Sequence, residues 1–164
     1  MGLSATFQYI FNHPWSTVSL ASWKKYPSTQ QPEIVSIDLI DKHYDPDHGI
    51  LRSKRVAVVY PQLPFWLQFY QHPIIFIEES IVDVPNQTMT LHNRNISLRE
   101  YGTSDETCIY KAIDDETTEL QQQIKIECTR SSLIERFIFN RYCNNIDRGP
   151  KILKDTIDNI TSSI

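Results

Sequence analysis

Between Glu33 and Cys128 the chain carries one strand pattern after another, joined by turn residues, with no stretch of helical period long enough to serve as a crossover. Parallel neighbours need such crossovers, so strands joined only by turns must pair antiparallel. In "EIVSIDLIDKHYDPDHGILRSKRVAVVY", Val35, Ile37 and Leu39 alternate with polar partners, Asp45 to Gly49 supply turn chemistry, and a second alternating run follows. This pattern predicts a hairpin. Further strands are expected around Ile74 to Val84, Thr88 to Leu98, Thr107 to Ile113 and Glu119 to Cys128, the last with Ile124, Ile126 and Cys128 on one face. Phe7, Tyr9 and Phe11 alternate in "ATFQYIFN" and predict an opening strand.

Helical signals flank this sheet. Pro14 suits the first turn of a helix running to about Lys25, where Pro27 stops it. Near the other end, Ser132-Leu-Ile-Glu135 has the form of a capping box and opens a long helix. That helix should end or kink near Gly149-Pro150, because Pro150 lacks the amide hydrogen that would bond back to Ile146, and a second piece should run to about Ile160. "PQLPFWLQFYQHP", with its prolines and aromatics, is too apolar for a solvated loop and too broken for a strand, so it reads as a lid with a short helix. The expected architecture is α+β: a curved antiparallel sheet gripping a C-terminal helix and leaving a cavity, in one domain over residues 1–164.

A chain of 164 residues suffices for one sizeable core, burying on the order of 70% of the surface its unfolded form exposes. The formal charge of −4 argues against a broad nucleic-acid surface, so any anion site must be local. The longest apolar runs, such as Ile74 to Ile77, fall far short of the roughly 20 residues a membrane-spanning helix needs. The first 23 residues hold no Lys or Arg and so lack both the charged start of a secretory signal and the Arg-rich face of a presequence. Cys108, Cys128 and Cys143 are odd in number and lack CxxC spacing, which favours plain thiols over a zinc or redox site. No motif of nucleophilic, zinc-protease or phosphate-loop chemistry is present, and no cofactor is implied.

The residues that stand out are basic ones on faces that should be apolar. Lys25 lies four residues beyond Ala21 and seven beyond Val18, on the stripe expected to meet the core, while Lys24 points toward Thr17 and Leu20. By strand parity Arg55 faces the same way as Ala57 and Val59; it asks for an anion, from a ligand or from an internal partner such as Asp38 or Asp41. In the last helix Ile134, Ile138, Arg141, Asn145, Arg148 and Ile152 form one stripe, apolar at its ends and polar in the middle. Either that middle is solvated, with Leu133, Phe137 and Phe139 marking the buried side, or it looks into a pocket beside Lys25. His43 to His48, "HYDPDH", has residue types that can bind a metal, but it reads as a hairpin turn in which Asp-Pro and His-Gly supply the turn chemistry.

Taken in order, "HPWSTVSLASWKKYPS", "VSIDLIDKHYDPDHGILRSKRV", "LPFW", "VDVPNQTMTLHNRNIS" and "NNIDRG" resemble the PRELI/slowmo family of mitochondrial phospholipid transfer proteins, from about Phe7 to Ile160. The resemblance implies a seven-stranded antiparallel sheet and a long C-terminal helix around a lipid cavity under a mobile lid. It implies transfer without covalent chemistry, so no enzyme, between the outer and inner mitochondrial membranes. By motif position it carries head-group contacts to Lys25, Arg55, Arg141, Asn145 and Arg148. It further implies a location in the intermembrane space and a heterodimer with a small twin-CX9C helical-hairpin protein.

The chain departs from the phosphatidic acid carriers, with Val59 and Gln62 where they tend to have basic residues and Glu33 where they have histidine. Its "NHPW" start and "DKHYDPDHG" turn resemble the slowmo branch, associated with phosphatidylserine. Pro64, Phe65, Trp66, Leu67, Phe69 and Tyr70 of the lid are the expected contacts with an anionic membrane surface, ordinary packing over the core being the other reading. The rival for the whole chain is a helix-grip module for another apolar ligand, or a protein-interaction domain.

Overall fold

A computed structural model describes residues 2–68 and 72–163, with Leu67 as backbone only. Its strands are β1 (Leu3–Phe11), β2 (Ile34–Asp45), β3 (Ile50–Val59), β4 (Ile74–Asp83), β5 (Thr88–Asn95), β6 (Gly102–Asp114) and β7 (Thr117–Cys128). They form one seven-stranded antiparallel sheet in the order β1-β7-β6-β5-β4-β3-β2. β1 and β2, consecutive in sequence, therefore lie at opposite edges. The segment joining them, with helix α1 (Trp15–Lys24), crosses the concave face. Helices α2 (Ser132–Asn144) and α3 (Arg148–Ser162) complete the grip.

β6 begins five residues earlier than the alternation suggested, at Gly102 rather than Thr107. Its opening residues "GTSDE" carry no apolar signal, yet Ser104 and Glu106 point inward. The hairpin between β2 and β3 closes as its turn chemistry requires: Asp45 Oδ1 accepts from the amides of Asp47 (3.1 Å) and His48 (3.3 Å), and Gly49 takes the left-handed φ of 66°. Asp45 also pairs with His48, and among the described residues no group of three or more His, Cys, Asp or Glu converges as a metal site.

Strand register places the inward residues in rows. One row runs Leu39, Arg55, Glu78, Asn93, Glu106, Ile124, Ala5 across the whole sheet, so four polar side chains form a belt across its middle. On one side of the belt, α1 and α3 pack over β5 to β7. Trp15, Val18, Ala21, Met89, Leu91, Tyr110, Leu120, Leu153 and Ile157 form the core there. Full burial of each large apolar side chain contributes about 1.5–3 kcal/mol before the entropy of ordering it. On the other side α2 lies over Phe76 and Ile126 more loosely. Its only buried residue is Glu135, and Leu133 is 78% exposed, so the reading in which Leu133 marks a buried side does not hold.

The C-terminal helical segment differs from expectation in two places. Ser131, not Ser132, is the N-cap of α2, accepting from Ile134 N at 3.2 Å, while Glu135 reaches back to the amide of Cys128 at 2.8 Å. The expected capping box is thus replaced by a cap and a tie to β7. The break falls at residues 145–147, ahead of Gly149-Pro150. Pro150 sits in the first turn of α3, where an amide hydrogen would have no intrahelical acceptor, and the ladder starts with Lys151 N to Asp147 O at 3.0 Å. Pro150 therefore begins a helix instead of ending one.

Candidate functional site

Where the polar belt passes under α1 and the α2–α3 junction, the concave face encloses a cavity of about 320 Å³. Its walls combine Ile34, Ile37, Phe76, Leu91 and Ile124 with a small set of polar groups: Lys25, Glu78, Asn93, Glu106, Gln122, Tyr142, Asn145 and Arg148. A second cavity of about 280 Å³ adjoins it, sharing Phe76 and Ser104 as wall residues. It is lined mainly by apolar groups, including Ile74, Leu98, Ile126, Ile134 and Ile138. A polar chamber beside an apolar one suits an amphiphile.

Lys25 follows from the period of α1. Trp15, Val18, Ala21 and Ser22 are buried, Lys24 is exposed, and the next inward position is Lys25, which lines the polar chamber. Its ammonium rests 4.9 Å from the ring of Tyr26 and makes no hydrogen bond or ion pair among the described residues. Burial works to lower its pKa, but Tyr110, Tyr26, Cys108 and Glu106 together push it up, so the cation is retained. Burial also raises the pKa of Tyr26, Cys108 and Tyr110, the last to about 12. A retained cation with no ion-pair partner is a group waiting for an anion.

The other basic candidates are placed differently. Arg148 lines the polar chamber, but both terminal nitrogens are taken: Nη1 donates to Glu33 Oε1 at 2.8 Å, and Nη2 donates to Glu33 Oε2 at 3.0 Å and to the Gln30 carbonyl at 2.9 Å. The pairing holds the Glu33 carboxyl below the usual carboxylate range. Asn145 lines the chamber too; its side chain donates to the Arg141 carbonyl at 2.8 Å and finishes α2. Arg141 itself is exposed and reaches Gln62 of the lid segment at 3.5 Å.

Arg55 is buried and lies outside the chamber wall. Its Nε donates to Glu78 Oε1 at 2.7 Å, its Nη1 donates to the Trp23 carbonyl at 2.9 Å, and its guanidinium stacks 3.9 Å from the Trp23 ring. The internal anion is thus Glu78, its direct cross-strand neighbour, and not Asp38 or Asp41, which are exposed. The structure therefore brings Lys25, Asn145 and Arg148 to the lining of one chamber and leaves Arg55 and Arg141 off it.

A further cluster was not anticipated from the sequence. Glu106 Oε1 accepts from Tyr142 OH at 2.7 Å, from Gln122 Nε2 and from Cys108 Sγ at 3.7 Å, and Gln122 Nε2 also donates to Tyr142 OH at 2.7 Å. Burial, then the Glu106 charge, pushes the Tyr142 pKa far up and keeps its hydroxyl a donor. The available signal was parity: Glu106 shares the inward face with Cys108 and Tyr110.

Beside α2, Phe65–Leu67 forms a single 3₁₀ turn after Pro64. Phe65 is 83% exposed, and Trp66 meets Phe137 of α2 edge-on with centroids 5.5 Å apart. Phe69 and Tyr70, also expected in the lid, lie outside the described residues. Among the described residues no helix is long and apolar enough to cross a membrane.

Comparison with known proteins places these features among relatives. The model of the PRELI-like family matches residues 16–163. A Dictyostelium discoideum protein named "Protein slowmo homolog" is 33% identical, covering 96% of this chain and 72% of its own length. The human "PRELI domain-containing protein 1, mitochondrial" is 25% identical, covering 88% and 70%. Among solved structures, the Zhui aromatase/cyclase of a Streptomyces species superposes with a TM-score of 0.63 at 8% identity, covering 95% and 94% of the two chains. The lipid transfer and protein localization domain of human StarD13 superposes with a TM-score of 0.60 at 11% identity, covering 94% and 76%. These structural likenesses establish the helix-grip fold.

Proposed function

Because the chain belongs to the PRELI-like family, we propose that it binds a single anionic glycerophospholipid and carries it, chemically unchanged, between the outer and inner mitochondrial membranes. The observation that carries the reading is Lys25: an ammonium with no ion-pair partner among the described residues, inside a polar chamber that shares Phe76 and Ser104 as walls with an apolar one. The phosphate meets Lys25, Asn145 lines the same chamber, and the acyl chains extend past Phe76 and Ser104 toward Ile126, Ile134 and Ile138. Arg148 joins the phosphate only by leaving Glu33, and Arg141 guides the head group at the entrance from its exposed position beside Gln62.

Phosphatidylserine is favoured over phosphatidic acid. Arg55 is committed to Glu78 and Arg148 to Glu33, so the chamber offers few free cations, enough for a phosphodiester and short of what a phosphomonoester would draw. The lid, Pro64 to Tyr70, docks on an anionic membrane with Phe65 and Trp66 as interfacial anchors. Relatives named as mitochondrial support that organelle, and the family resemblance supports the intermembrane space and a heterodimer with a small twin-CX9C helical-hairpin protein.

The test is transfer of fluorescent phospholipid between liposomes by the full chain. Lys25→Ala is expected to slow transfer at least tenfold while the protein stays folded, since one charge-assisted contact is lost. Unchanged transfer by Lys25→Ala would remove the head-group assignment. Mass spectrometry of recovered lipid should show only the species supplied; any altered lipid would point to catalysis.

A further inference from the structure

We infer that Glu106, held in place by Gln122 and Tyr142, is a receptor for an ammonium group, so that the chamber selects head groups carrying a cation beside the phosphate. The inference rests on the phospholipid-carrying function proposed above and names the part of the head group that function leaves unassigned.

Three donors converge on Glu106, and all of them take Oε1. Oε2 accepts nothing among the described residues, although Glu106 lines the chamber. Gln122 is 8% exposed, and its Oε1 is buried without a partner. The amide's orientation is fixed: Nε2 must face the carboxylate and the Tyr142 oxygen, so the side chain holds the Glu106 carboxylate in place while its own Oε1 is buried. Cα partnering of Gln122 with Cys108, two residues from Glu106, puts both side chains on the concave face of adjacent strands.

A buried acceptor left unpaired costs stability, and a carboxylate in an enclosed chamber costs more, unless a ligand supplies donors. An open carboxylate oxygen on the chamber wall calls for a cationic donor; a phosphate would be repelled. Among the described residues no arginine or lysine side chain bonds Glu106, in contrast to Glu78, which is neutralised by Arg55. Lys25 is near enough for Glu106 to raise its pKa, yet the two do not pair. The chamber therefore presents one unpaired positive and one unpaired negative charge, the complement of a head group that holds a phosphate and an ammonium a few bonds apart. Tyr142 and Gln122 position the carboxylate; they need not touch the lipid.

The experiment compares liposome transfer of fluorescent phosphatidylserine, N-acetyl-phosphatidylserine, whose ammonium is capped, and phosphatidic acid, by the wild-type chain and by Glu106→Gln. Wild type should move phosphatidylserine faster than its N-acetyl form. In Glu106→Gln the ratio of phosphatidylserine to phosphatidic acid transfer should fall roughly tenfold or more, and the penalty for N-acetylation should vanish. Ratios within one variant are independent of how much of it is folded, and the wild-type comparison decides even if Glu106→Gln moves no lipid. Equal handling of the two serine lipids by wild type would overturn the inference. So would an N-acetylation penalty that persists undiminished in Glu106→Gln, because it would be steric. Wild type that moves phosphatidic acid without any ammonium preference would leave the carrier function standing; wild type that moves none of the three would overturn both.

Discussion

Removing the Glu78 carboxylate would strand a buried guanidinium that also closes α1 and stacks on Trp23. Glu78→Ala should therefore destabilise the fold by about 3–5 kcal/mol, read by denaturant unfolding, while the paired change Arg55→Met with Glu78→Leu should recover most of that loss. If Arg55 instead served the lipid directly, the paired change would abolish transfer in a protein that still folds. Glu33 behaves differently because its pairing with Arg148 lowers its folded pKa. Its contribution to stability is present above the ordinary carboxylate value of 4.5 and is lost as pH falls through the depressed folded value. Melting curves of wild type and Glu33→Gln should thus differ at pH 7 and converge as the pH falls through the depressed folded value. Parity alone showed that Lys25 and Arg55 face inward. It could not show which of them had an internal partner, because Glu78 becomes the neighbour of Arg55 only once the β3–β4 register is set across the intervening lid. Glu78 and Glu106 escaped notice because "EES" and "TSDET" are polar on both faces, so alternation there reads as solvent exposure.

At the scale of elements, α2 and α3 are two bodies joined at residues 145–147. α3 is held by buried Ile152, Leu153 and Ile157; α2 buries only Glu135 and touches the lid through Phe137 and Trp66. Amide hydrogen exchange should accordingly be fast along α2 and slow in α3 from Leu153 to Ile157. Losing the α2 cap in Ser131→Ala should cost about 1 kcal/mol and speed exchange in its first turn further. Leu153→Ala, in the core, should cost about 2–5 kcal/mol. The strands were legible because turn residues bracket them and the hairpin register follows from the Asp45 to Gly49 turn. The helix break was misplaced because Pro150 signals a boundary without saying which side of it is helical; Asn145 and Asp147, which occupy the boundary, are ordinary helix-surface residues until their bonds are seen.

For the whole molecule, Phe65, Trp66 and Leu133 are large apolar side chains left exposed on a chain of net charge −4. Phe65→Ser with Trp66→Ser should weaken vesicle binding in flotation assays while leaving lipid bound in native mass spectrometry, which would separate docking from capture. Core packing by α1 and α3 lies to one side of the belt, and the looser acyl chamber to the other. The belt itself is anchored on four central strands and not on loops. Cargo preference can therefore diverge in this architecture by exchanging one inward residue on β5 or β6, with the hydrophobic core and the Arg55–Glu78 pair inherited intact. A descendant with a neutral side chain at position 106 would take a different lipid and still fold as its ancestor did.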